Sequence, residues 1–220
     1  MPVEEIKNGI KYVEKPLSDQ MREWKEQGKR VGILLNDELD FPEQEGSIMT
    51  ADEYFQCEKR ILEVGMELAY PIFITEMLLY PNGVPTGRED LMEKLSEVRV
   101  TPLDFPAVLR PLFSQDMEVY KKTTGDTKCE TNDFLLGDLR ESRIKKLIVM
   151  GQTRNACCGE TSNYLCAQIE NLEIYTSPYI ARCCGLGGPS EDEPWKENFV
   201  GGPVGEYGWP IGRTTVFKSI

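Results

Sequence analysis

Residues 147–158 read Leu-Ile-Val-Met-Gly-Gln-Thr-Arg-Asn-Ala-Cys-Cys. An apolar run of strand length ends at Gly151, five irregular residues follow, and two cysteines open a helical pattern. A thiol in the first turn of a helix sits in the positive partial charge of unpaired backbone N–H groups, which favours the thiolate. Open α/β sheets place ligand sites just past the carboxyl ends of their strands. Cys157 and Cys158 are therefore the candidates for a reactive nucleophile. The chain has no histidine. That removes Cys-His dyads, His-based triads and histidine metal sites, so acid–base work falls to Asp, Glu, Lys, Tyr or Cys.

The elements that must position such a thiol are legible on both sides of it. Val31-Gly-Ile-Leu-Leu-Asn36 is a continuous apolar run, the pattern of a strand buried on both faces. Thr50-Ala-Asp-Glu53 is a capping-box signature that opens a helix to about Ala69, with Tyr54, Cys57, Ile61 and Leu68 on one stripe. Pro71–Thr75 reads as a second strand and Met117–Lys121 as a third. Residues 132–144 read as a helix carrying Leu135, Leu136 and Leu139. Then come a strand at 146–151, a helix from about 156 to 170, a strand at 172–176 and a last strand at 214–217. A helix at 18–28 carries Met21 and Trp24. Shorter helices are expected at 87–97, inside a turn-rich excursion over 80–115 that contains Arg110 and Phe113, and at 190–198. Strands alternating with helices predict a three-layer α/β/α fold with a mostly parallel sheet of about six strands. The expected organisation is a polar N-terminal extension over 1–29 and one α/β domain over 30–220, with an atypical Gly/Pro-rich segment at 185–212.

The chain has 220 residues, 25 Lys+Arg and 37 Asp+Glu, a net charge of −12. An acidic surface repels phosphate backbones and anionic lipid, so neither nucleic acid nor membrane is expected as a partner. No apolar run approaches the ~18 residues of a membrane span. The first residues lack a signal-peptide pattern, so the expected location is cytoplasmic, with the seven cysteines as reduced thiols. Cys158 shares a helical stripe with Leu165 and Ile169 and is expected to be buried as a small hydrophobe, as is Cys166. The pairs Cys157-Cys158 and Cys183-Cys184 lack C-x-x-C spacing, so no metal is expected from them. Gly185–Gly188 reads as a flexible turn and not a phosphate loop.

In this order the pieces resemble the isochorismatase-like cysteine hydrolases, the superfamily of isochorismatases, nicotinamidases and carbamoylsarcosine amidases. Residues 33–41, Ile-Leu-Leu-Asn-Asp-Glu-Leu-Asp-Phe, resemble the family's first strand, which ends in apolar-Asp-x-Gln-Asn-Asp-Phe. Residues 117–121 resemble the strand that ends in the family lysine. Residues 149–158 resemble the family's strand, Gly, Thr-containing turn and Cys at a helix start. The likeness covers roughly 30–180.

The resemblance implies a cysteine that attacks a carbonyl, an aspartate that takes the thiol proton and a lysine that supports both charges. It puts the cysteine at Cys157, the lysine at Lys121 and the aspartate at position 36, which here is Asn36. An amide cannot accept that proton. Asp37 is the candidate base, reachable if the strand ends or bulges there, with Glu38 as another stand-in. Alternatively the thiolate attacks unaided, supported by Lys121 and the helix N-terminus. Backbone N–H groups at Ala156 and Cys157 are the candidate oxyanion donors, and Gln152, Arg154 and Asn155 the candidate substrate contacts. Glu76–Tyr80, where nicotinamidases carry metal ligands, has no such set, so no catalytic metal and no cofactor are expected. The implied activity is hydrolysis of a C–N bond in a small amide or carbamoyl compound through a thioester, by a homo-oligomer. A catalytically degenerate binding or scaffold protein of the same fold is the alternative, and a thiol-based redox protein a weaker third.

Overall fold

The computed structural model describes residues 5–7, 9–36, 49–77, 107–113, 120–125, 128–131, 133–152, 157–182 and 209–220. The strands β1 (Glu5–Lys7) and β2 (Ile10–Val13) come first, followed by helix α1 (Leu17–Glu26). β3 (Val31–Asn36) is buried at all six positions, as its uninterrupted apolar run requires. The capping box closes at the start of α2 (Ala51–Glu67): the Glu53 N–H donates to Thr50 Oγ1 at 3.2 Å, and the Thr50 N–H donates to the Glu53 carboxylate at 2.9 Å. Then follow β4 (Ile72–Met77), a short helical turn at Arg110–Leu112, β5 (Tyr120–Gly125), β6 (Lys128–Thr131) and α3 (Asp133–Glu141). The chain continues with β7 (Lys146–Gln152), α4 (Cys157–Gln168), β8 (Glu173–Thr176), β9 (Ala181–Arg182) and β10 (Thr214–Phe217).

One sheet carries all of these strands, in the order β1-β2-β10-β8-β7-β3-β4-β5-β6, with β9 beside β7. Six adjacent strands, β10 through β8, β7, β3 and β4 to β5, run parallel. The expected mostly parallel sheet is this centre. β2 extends it in parallel, and β1 and β6 pair antiparallel at the two edges. Helices cover both faces. Ile33, Leu35, Ile74 and Met150 pack with Met21 and Trp24 of α1 and Ile61 and Leu62 of α2. Leu34, Phe73, Leu147 and Val149 pack with Leu135 and Leu139 of α3 and Leu165 of α4. Each such side chain contributes roughly 1.5–3 kcal/mol by leaving water.

The segment 1–29, read as an extension, contributes two strands and a helix to this sheet and its core: Ile10, Tyr12, Val13, Leu17 and Met21 are buried. Strands of three and four residues with a lysine among them carry too little periodicity to stand out in a sequence. The expected helices at 87–97 and 190–198 lie outside the described residues, as does the 185–212 segment up to Trp209.

Strand order reverses at β3. From β3 the chain moves outward through β4 to β5, then returns to the other side of β3 for β7 and continues away through β8 to β10. The carboxyl ends of β3 and β7 therefore flank the crevice where open α/β sheets bind ligands.

Candidate active site

Backbone register lines up one transverse row at this crevice. Gly151 pairs with Asn36, Asn36 with Thr75, and Thr75 with Tyr120; Gly151 also pairs with Ala181 of β9. Gly151 has φ +109°, and a Cβ there would stand 2.1 Å from the Asn36 carbonyl oxygen. Only glycine fits so close an approach of β7 to β3.

Asn36 lies at the centre of the row, fully buried together with Thr75 and Cys158. The Thr75 hydroxyl donates to Asn36 Oδ1 at 3.1 Å, and Asn36 Nδ2 donates to Cys158 Sγ at 3.6 Å. The hydroxyl on the oxygen side fixes the amide so that its N–H faces sulfur. The Tyr54 hydroxyl of α2 shares its proton between the Gly151 carbonyl, at 2.9 Å, and the Ile180 carbonyl, at 2.7 Å. It thereby ties α2 to the ends of β7 and β9.

α4 starts at Cys157. Successive residues of a helix are about 100° apart, so the two cysteines face different surroundings. Cys158 is buried against Asn36, as its stripe with Leu165 predicts, and the Ser162 hydroxyl donates to its carbonyl at 2.7 Å. Cys157 is half-buried. Both lie outside any disulfide, as do Cys57 and Cys166, which are half-buried. Burial pushes the Cys57 and Cys166 thiols up, against smaller opposing contributions from Arg60 and Arg213 respectively.

The structure thus brings Asn36 to Cys158 and sets Cys157 next to that contact. The third strand differs from expectation in extent. β5 continues to Gly125 because it pairs with β6 in a hairpin beyond the parallel sheet, so Lys121 does not end it; residues 117–119 of the expected strand lie outside the described residues. The Lys121 backbone pairs with Glu76, one step past the Asn36 row and at the same end of the sheet. Asp37, Glu38, Arg154, Asn155 and Ala156 lie outside the described residues; of Gln152 the backbone is described, paired with Arg182.

Sequence reasoning missed two members of this site. Tyr54 reads as part of an apolar stripe and Thr75 as the last residue of a strand. The available signal was a hydroxyl on each, because a hydroxyl on a core-facing position needs a partner. Among the described residues no group of three or more Cys, Asp or Glu side chains is arranged to hold a metal, and no helix is long and apolar enough to cross a membrane.

No family model matches the sequence, and no curated protein matches it. Solved structures do. A cysteine hydrolase from Pseudomonas syringae pv. phaseolicola superposes with a TM-score of 0.53 at 17% identity, over 85% of this chain and 88% of that one. YcaC from Pseudomonas aeruginosa gives 0.48 at 14% identity over 71% of this chain, and a pyrazinamidase/nicotinamidase from Streptococcus mutans gives 0.48 at 15% over 70% of this chain and 87% of that one. The chain spans 66% of the Pseudomonas aeruginosa protein and 65% of the Escherichia coli YcaC product, just under two thirds of each. At such identities the likeness is one of architecture: the chain has the α/β fold of the Pseudomonas syringae cysteine hydrolase.

Proposed function

We propose that the protein is a cysteine-dependent hydrolase of a C–N bond in a small amide or carbamoyl compound. The observation that carries this reading is the half-buried Cys157 side chain, outside any disulfide, at the first residue of α4, beside the strand-order reversal between β3 and β7. The Cys157 thiolate attacks the carbonyl carbon, and backbone N–H groups at Ala156 and Cys157 receive the oxyanion. The C–N bond breaks, and the amine leaves with a proton delivered by Lys121. Water then adds to the thioester, releasing the acid and returning the thiol. Asn36 acts as a positioning group through Cys158, Asp37 as the base, and Gln152, Arg154 and Asn155 as substrate contacts. The mechanism calls on no cofactor. A small-molecule substrate, a cytoplasmic location and a homo-oligomeric state complete the proposal.

The test is iodoacetamide labelling against pH, resolved by mass spectrometry for each cysteine. Cys157 is expected to label first, with a midpoint well below the ordinary thiol value of ~8.5. Cys57 and Cys166, whose thiols burial raises, serve as internal references. If Cys157 labels no faster than these two, the hydrolase reading fails.

One observation favours a second reading, a binding or scaffold protein that has lost hydrolysis: position 36 is an amide donating to Cys158, and an amide cannot take a thiol proton. Wild type inactive on an amide panel, with activity gained in Asn36→Asp, supports the scaffold. Active wild type impaired by Asn36→Asp refutes it.

A further inference from the structure

The amino ends of β3, β4 and β7 carry a feature that the hydrolase reading does not use. The turns after α1, α2 and α3 meet there, and all three are built alike. Gly28, Ala69 and Arg143 take left-handed backbone angles, with φ of 64°, 53° and 54°. In each turn two N–H groups close back on the helix: Gly28 on Lys25 and Lys29 on Trp24, Ala69 on Met66 and Tyr70 on Gly65, Arg143 on Arg140 and Ile144 on Leu139. These are Schellman closures, which satisfy the last carbonyls of all three helices.

Between the turns opens a cavity of about 530 Å³, lined by Lys25, Lys29, Arg30, Tyr70, Ser142 and Ile144 among others, with no acidic side chain among the described residues of its lining. Its volume falls within the range of small-molecule sites, roughly 300–1,000 Å³. Lys25 Nζ stands 5.9 Å from the centroid of the Tyr70 ring. Lys25, Lys29 and Arg30 are exposed, and among the described residues none forms an ion pair. This is a chain with 37 carboxylates for 25 cations, so three neighbouring cations without a carboxylate need a reason. Helix dipoles supply part of one. Three helix carboxyl ends carry about −1.5 charges in all, against three full positive charges, so the groups of the lining sum to a positive charge.

We propose that this cavity binds a small phosphorylated compound. Its phosphate lies among Lys25, Lys29 and Arg30, and its apolar body lies against the exposed Ala69 and Pro71 and the rim of the buried Tyr70. The guanidinium of Arg30 supplies two parallel donors suited to phosphate oxygens, and the two lysines supply point charges. The site lies at the opposite edge of the sheet from Cys157 and stands independently of the hydrolase reading.

Calorimetric titration of the full chain at fixed ionic strength tests it, with adenosine monophosphate and pyrophosphate as the probes. Adenosine monophosphate is expected to bind one to one and more tightly than pyrophosphate. Arg30→Glu is expected to weaken it about tenfold or more, with Arg30→Gln as the second variant if the first misfolds. Lys59→Glu makes the same charge change elsewhere on α2, away from the cavity lining, and is expected to leave binding unchanged. Binding weakened equally by Lys59→Glu would show a general charge effect and overturn the site. So would the absence of binding at millimolar ligand, while pyrophosphate binding at least as tightly would overturn the role given to the apolar wall.

Discussion

At the carboxyl ends of β3, β4 and β7, polar groups are buried and aimed at one another: Thr75 at Asn36, Asn36 at Cys158, Tyr54 at the Gly151 and Ile180 carbonyls. At the amino ends of the same three strands, Lys25, Lys29 and Arg30 are exposed, with no carboxylate of the described residues in the cavity they line. The difference separates two uses of polarity. In a dry site a hydrogen bond fixes geometry, and losing one partner leaves the other buried and unsatisfied. In water a charge costs little to keep and little to remove, and its effect appears only when a ligand arrives. Substitutions at the first edge should therefore register as stability and those at the second as binding or pH dependence.

Gly151→Ala should break the comparison hardest. It forces a Cβ to 2.1 Å from the Asn36 carbonyl at a φ that L side chains rarely adopt. A loss of about 3 kcal/mol or more in urea-induced unfolding is expected. Thr75→Val keeps the shape but removes the hydroxyl that donates to Asn36 Oδ1 in the core, for a loss of about 2 kcal/mol in the same assay. The freed amide should also let Cys158 label faster. Tyr54→Phe removes one proton shared by two carbonyls and should cost about 1 kcal/mol. A loss below the error of the fit would mean that water replaces the hydroxyl there.

The smallest effect belongs to the amino edge. Burial pushes the Glu173 carboxyl up, but hydrogen bonds from Lys146 and Tyr175 and the charge of Lys146 outweigh it, leaving the group below its ordinary value of 4.5. A lowered carboxylate contributes stability that is present above the unfolded value and is lost as pH falls through the folded one. Wild type should therefore lose a small increment below about pH 4.5, and Glu173→Gln should lose less there. Because Glu173 is 48% exposed, the difference should stay under about 1 kcal/mol. Thermal melts at pH 3 and pH 7 would resolve it.

What was legible in the sequence follows the strength of each local signal. β3 and β7 are uninterrupted apolar runs. α2 opens on a capping box whose two bonds both form. The first turn of α4 was recognisable because strand, glycine and cysteines follow one another within twelve residues, 147–158. β2 was not, because Lys11 interrupts four residues whose burial depends on β10, far along the chain. The extent of β5 was missed for a similar reason: its later residues are held by β6 and not by the parallel sheet. Motif spacing singled out Cys157, yet the residue that Asn36 touches is Cys158, because helical rotation and not sequence distance decides which neighbour turns inward.

The place of β10 has a consequence for how the chain is made. It lies between β2 and β8, and its flanks are sealed by the Lys218 N–H on the Val13 carbonyl and the Leu17 N–H on the Ser219 carbonyl. Glu14 and Lys218, which form an ion pair across this seam, are 204 residues apart in sequence. The strand that ends at Val13 thus waits for one synthesised 204 residues later. Until then β1 and β2 are only a hairpin, marginal by itself, and β8 shows an open edge to any other nascent chain. Loop closure over such a span costs entropy that local pairings do not, so this pairing is expected to form late. A ribosome that stalls before Thr214 releases a sheet with an uncovered seam.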